Sequence, residues 1–185
     1  MFNDRLAAQM AAYFLLRNRG RMSVLKLMKL LYLADRESME RYGYPISYDL
    51  MVSLDHGPVL SRTLNHINDS APSSVDGWKD WIGDRAGYEV DLRKDKITLT
   101  DLDELSKADV SVLQAVWDKF GHMHKYDLSD YTHDECPEWQ DPKGSSLPLR
   151  YKDVFQALGK SPEEAEELQA EIYSKQSVDD IFASL

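Results

Sequence analysis

One cysteine, Cys136, in 185 residues excludes an internal disulfide and favours a reducing compartment, so the chain is expected in the cytoplasm. Long apolar runs are missing as well: no segment approaches the roughly 20 residues of a membrane span. The opening MFNDRLAAQM carries Asp4 early and no continuous apolar stretch, a composition that fits neither a signal nor a transit peptide. Positive charge is scarce. Against 32 Asp and Glu stand 22 Lys and Arg, a formal net charge of −10, which repels phosphate backbones, serves solubility on its own account and permits a basic protein partner. A DNA-binding regulator would need about five or six basic residues on one face. The only basic run, Arg17-Asn18-Arg19-Gly20-Arg21, offers Arg17, Arg19 and Arg21 and reads more simply as a solvated helix turn.

What is present is an ordinary apolar content of 43%, enough for one domain with a real core and no need of metal or disulfide staples. The most informative stretch runs from Leu25 to Leu64. Val24, Leu27, Met28 and Leu31 fall at helical spacing, and Leu25, Leu30 and Ala34 widen the stripe until most of the circumference is apolar, which places this helix at the centre of the fold. Ser23 is its N-cap, and Gly43 before Pro45 ends it. Ile46 to Leu54 suits a short strand, and Gly57-Pro58-Val59 predicts a helix start, with a third helix from Pro58 to Asn68.

The flanking elements complete a helix-dominated α+β class. Asn3 caps a first helix striped by Leu6, Met10, Tyr13 and Phe14, whose interspersed alanines allow close packing in a hairpin with the second helix. Tyr88, Val90 and Leu92 alternate with charged residues before a second run, Lys96 to Thr100, and predict a β-hairpin over residues 88–100. Ser106 and Asp109 form a capping box for a long helix with Val110, Leu113, Val116, Trp117 and Phe120 inward and Gly121 at its end.

The segment His122 to Trp139 gathers three histidines, the cysteine and several acids, so chemistry has to be considered there. A zinc site from His122, His124, His133 and Cys136 lacks the paired two-ligand spacing of structural zinc. A Cys136 nucleophile paired with His133 lacks a third orienting group and is followed at once by Pro137. The acids Asp134, Glu135 and Glu138 are too ordinary here to mark a carboxylate hydrolase. The simpler account is a short helix capped by Asp127 or Ser129, a histidine bonded to backbone and a tryptophan packed on the core; the alternative is a protein-binding surface anchored by aromatics.

Taken in order, KLMKLLYLADRESMERYGYPIS, SLDHGPVLSRTLNHI and LSDYTHDECPEW resemble the Panacea-domain family of SocA-like antitoxins, related to prophage GepA-type proteins. The resemblance covers roughly residues 5 to 140. It implies a non-enzymatic antitoxin of a type II-like system that neutralises a co-encoded protein toxin by direct contact, or an adaptor that presents a toxin to a protease subunit, with no cofactor or metal. A hydrolase or metal enzyme built on His133, Glu135 and Cys136 is the alternative from another class. Carried over position by position, the family pattern falls on Lys26, Lys29, Leu30, Leu31 and Tyr32, on Gly57, Pro58 and Val59, and on His133, Glu135 and Trp139. Gly57, Pro58 and Val59 are a structural motif. His133, Glu135, Trp139, Lys26, Lys29 and Tyr32 are the candidate partner contacts.

The expected organisation is a Panacea-like domain over residues 1–145 and a helical extension over 146–185. In the extension, Tyr151, Val154, Phe155 and Leu158 make a stripe ending at Gly159, and Ser161-Pro162-Glu163-Glu164 starts a helix to about Lys175 with Ala165, Leu168 and Ile172 as its apolar edge. Val178, Ile181, Phe182 and Leu185 suggest a final docking helix that packs on its own core or engages a toxin or protease.

Overall fold

The computed structural model describes residues 2–94 and 96–183, with side chains through 177. Helix α1 (Asp4–Arg17) is capped by the Asn3 side chain, which accepts from the Arg5 and Leu6 amides. Every residue from Ala7 to Leu15 is buried, because the alanines let neighbouring helices close on all sides. Strand β1 (Arg21–Ser23) follows, and Ser23 then caps α2 (Val24–Tyr42) at the Lys26 amide. Gly43, at φ 80°, ends α2 in the left-handed conformation expected of a glycine stop.

Strands β2 (Met51–Leu54) and β3 (Gly57–Leu60) form a tight antiparallel hairpin with Val52 opposite Val59. Gly57-Pro58-Val59 is therefore strand, not helix start, and helix α3 (Ser61–Ile67) begins only after it. Proline satisfies both readings from sequence, since a missing N–H is harmless in a first helical turn and equally on an edge strand. The strand wins because the pair to β2 exists, and Asp49 supplies the cap for α3 from a distance. Its carboxylate accepts from the Arg62 and Thr63 amides at 2.9 and 2.8 Å.

Helix α4 (Trp78–Trp81) leads to β4 (Glu89–Asp91), which pairs with β1, placing Met22 opposite Val90. The hairpin expected over residues 88–100 is thus corrected: a small antiparallel sheet exists, but its second strand is the distant Arg21–Ser23. Leu99–Asp101 is a 3₁₀ turn, closed by a Thr98–Asp101 capping box. The long helix α5 (Lys107–Phe120) carries the Ser106–Asp109 capping box as expected. Helix α6 (Lys125–Asp134) is capped by the His124 ring, which accepts from the Tyr126 amide, in place of Asp127 or Ser129.

Strand β5 (Leu147–Leu149) adds to the other side of β2, giving a three-stranded sheet ordered β3-β2-β5. Helices α7 (Tyr151–Ala157) and α8 (Pro162–Ala183) then pack on one another and back against the body. Ala165 and Ile172 are buried, Gln169 accepts from the Lys152 amide, and the Tyr151 hydroxyl donates to the Asp49 carbonyl. Helix α8 extends beyond Lys175, and the side chains of Val178, Ile181, Phe182 and Leu185 lie outside the described residues. Among the described residues no helix is long and apolar enough to cross a membrane.

Candidate functional site

Three stretches far apart in sequence meet at the β2–β3 hairpin. From α2, the Lys29 ammonium, fully buried, donates to the Pro58 carbonyl at 2.8 Å. From α6, the Ser129 hydroxyl donates to the His56 carbonyl at 2.9 Å, and from the turn beyond it the Trp139 indole donates to the Leu54 carbonyl at 3.0 Å. The hairpin turn is therefore held by side chains on three of its carbonyls. Gly57 lies inside this clamp at φ 99°, where a Cβ would stand 2.7 Å from both Lys29 Nζ and Thr132 Oγ1 and 3.2 Å from His133 Nε2. Both the backbone sign and the space require glycine there.

A second buried connection ties α2 to the same late segment. The Tyr32 hydroxyl donates to Glu138 at 2.5 Å, and Arg36 pairs with that carboxylate at 2.7 Å, with the Glu138 side chain wholly buried. Burial, reinforced by Glu138, raises the Tyr32 phenol well above its ordinary range. Burial lowers Lys29 to about 7, and Asp35, which accepts from the Ser47 amide and hydroxyl, is raised to about 7 by burial against those hydrogen bonds. These groups hold polypeptide in place at an electrostatic cost, as buried polar networks do when their partners are fixed.

Along the turn from Leu54 to Gly57 runs a cavity of about 510 Å³. Val24, Leu25, Met28, Val59 and Leu64 give it an apolar side, while Arg85, Lys125 and His56 bring positive or protonatable groups to it. Two rings stand out at its margin: Tyr88 is 79% exposed and Tyr126 59%. The Arg85 guanidinium lies 6.0 Å from the Tyr88 ring centre, and the Lys125 ammonium 5.0 Å from that of Tyr126. Neither cation forms an ion pair among the described residues. The one carboxylate at the cavity, Asp55, accepts from the Gly144 amide at 2.9 Å.

The sequence candidates divide sharply by depth. Lys29 and Tyr32, expected as partner contacts, are fully buried, with Lys29 on the wall of the cavity. Lys26 is half-buried and donates to the Gly121 carbonyl at 2.6 Å. His133 stacks on Trp139 with ring centres 4.2 Å apart; its Nε2 has no hydrogen-bond partner, contrary to the expected backbone bond, and burial lowers its pKa. Glu135 is exposed. Gly57, Pro58 and Val59 lie in strand β3 rather than at the helix entry expected of them. Arg85, Lys125 and Tyr126 went unmarked in the sequence because isolated exposed residues leave no periodic trace, and Tyr88, read there as part of the alternating apolar stripe, is exposed instead.

Cys136 is buried and its thiol is pushed up to about 12 by burial and Glu138, the opposite of an activated nucleophile. Among the described residues no group of three or more His, Cys, Asp or Glu side chains is placed to hold a metal ion, and His122, His124, His133 and Cys136 are not brought together. Arg17 donates to Tyr13 and Gln114, and Arg21 pairs with Glu89, so two of the three turn arginines are engaged within the fold.

The fold is thus a helix-dominated α+β domain whose three sequence motifs converge on one hairpin. A family model described as antitoxin SocA-like, Panacea domain, matches residues 27–140, and the chain belongs to that family. The curated proteins and the solved structures searched give no match.

Proposed function

We propose that this protein is an antitoxin that neutralises a co-encoded protein toxin by direct binding and without chemistry of its own. The observation that carries this reading is the family match over residues 27–140, which implies a cognate toxin partner. The geometry supports it. Lys29, Tyr32, Glu138 and Trp139, the polar groups an enzyme would keep available, are spent on holding the hairpin and its neighbours, and Cys136 is set against nucleophilic use. Residues 1–145 act as the Panacea unit, and residues 146–185 close the sheet and pack beside it. Glu135 and the exposed edges of His133 and Trp139 remain candidate contacts, with Lys26 at the margin. The net charge of −10 speeds encounter with a basic toxin.

The test is co-purification with the product of the adjacent reading frame, joined to growth rescue when both are expressed. A stable complex with rescue is expected. A neighbour that is neither toxic nor bound contradicts the reading.

A further inference from the structure

Resting on that antitoxin reading, we infer that the cavity beside the β2–β3 turn is the docking groove for the toxin, and that it takes an extended toxin segment carrying aliphatic side chains flanked by carboxylates. The clamp makes this face rigid: three carbonyls of the turn are held by Lys29, Ser129 and Trp139, and Gly57 has no room to shift. A preformed groove loses little conformational freedom on binding. Its floor is apolar, which suits aliphatic side chains, and its volume of about 510 Å³ is that of a site for a few residues rather than a flat contact.

The flanking chemistry sets the sign of the partner. In a chain with ten more acids than bases, this groove is lined by Arg85 and Lys125, which have no carboxylate partner among the described residues, while its single acid is bound to the Gly144 amide. The first turn of α2, which borders the groove, carries no acid either. A carboxylate-bearing segment is the complement of that arrangement. Tyr88 and Tyr126, exposed and each lying against one of the cations, are the residue type that dominates binding energy at protein interfaces. The overall negative field and the local positive groove act at different ranges: the first draws in a basic toxin, the second selects which of its segments seats.

The experiment uses the full chain and the protein of the adjacent reading frame. Dissociation constants are measured for wild type, for Tyr88→Ala with Tyr126→Ala, for Arg85→Glu with Lys125→Glu, and for Tyr173→Ala on the exposed face of α8, alongside melting temperatures. A photo-crosslinking phenylalanine analogue at residue 88 or 173 then maps the contact. Each groove pair is expected to weaken binding by at least about tenfold, with the melting temperature unchanged for the tyrosine pair and lowered slightly for the charge pair, which loses the Arg85 bonds to the Gly87 carbonyl and Asn68. Tyr173→Ala is expected to bind as wild type does, and crosslinks to the toxin are expected from position 88. Groove variants that bind within about twofold of wild type, with crosslinks from position 173 only, overturn the groove and leave the antitoxin reading standing. A wild-type chain that neither binds nor rescues overturns both.

Discussion

The inside and the outside of the β2–β3 turn use similar residue types to opposite ends. Beneath it, Lys29, Tyr32, Arg36 and Trp139 are sealed in the interior or largely covered, each committed to a carbonyl or to Glu138. Beside it, Arg85, Lys125, Tyr88 and Tyr126 line an open cavity without a carboxylate partner among the described residues. The same cation and aromatic chemistry fixes the backbone beneath the turn, whereas beside it Arg85 donates to the Gly87 carbonyl and the Asn68 side chain and keeps its charge without a carboxylate partner among the described residues. Side chains within the sequence motifs hold the turn from beneath, and the motif residues His56, Val59 and Leu64 share the cavity wall with Arg85, Tyr88, Lys125 and Tyr126, which lie outside the motifs.

Substitutions beneath the turn should therefore cost stability, the largest effect falling on Gly57. Gly57→Val demands a left-handed β-branched residue with its Cβ 2.7 Å from Lys29 and Thr132, and is expected to destabilise by about 4 kcal/mol in urea unfolding. A loss under about 1 kcal/mol means the clamp yields more easily than its geometry suggests. Glu138→Ala is next, at about 3 kcal/mol, since it strands Arg36 and the Tyr32 hydroxyl in a buried setting. The double replacement with Tyr32→Phe should recover part of that loss, which a double-mutant cycle reads directly.

A subtler mark of the interior is its pH dependence. Lys29 titrates near 7 in the folded protein against an ordinary 10.5, so between those values the unfolded chain holds a proton that the folded chain does not. Stability contributed through this group therefore rises with pH across that window, and the burial penalty is fully present below it. Asp35, raised from 3.8 to about 7, acts in the opposite sense: its contribution falls as pH rises from about 4 to about 7. Urea midpoints for Lys29→Met should rise less than wild type between about pH 7 and about pH 9.5. Equal rises in the two proteins would place the titration elsewhere.

The smallest expected effect is on the outside and is kinetic. Raising salt from about 0.05 M to about 0.5 M should slow association with a basic toxin while changing dissociation little. An association rate indifferent to salt removes long-range attraction from the description and leaves the groove untouched.

Much of the fold was legible because local capping chemistry states itself in sequence. Asn3, Ser23, Ser106 and Ser161 each cap the helix expected of them, and Gly43 stops α2 where a left-handed residue is needed. What failed was pairing. Val90 buries as alternation suggests, but its partner Met22 lies in a segment that reads as a mere helix joint, and nothing local in residues 96–100 tells a strand from a 3₁₀ turn. Gly57-Pro58-Val59 failed for a related reason, since Pro58 fits two local structures and only the distant β2 decides. The capping of α3 by Asp49 and the capture of Glu138 by Tyr32 and Arg36 are likewise long-range facts. The family resemblance named the motif correctly, yet it could not tell that Lys29 and Tyr32 face inward.

The most direct test sets one variant from each side of the turn in the same two assays. Glu138→Ala, buried and away from the cavity wall, and the Tyr88→Ala, Tyr126→Ala pair are measured for melting temperature and for toxin affinity of the folded protein. The expected pattern is crossed: Glu138→Ala lowers the melting temperature with the affinity of its folded fraction kept, and the tyrosine pair loses affinity with the melting temperature kept. A tyrosine pair that retains wild-type affinity, beside a stable Glu138→Ala protein that loses it, would contradict the division of scaffold from contact surface.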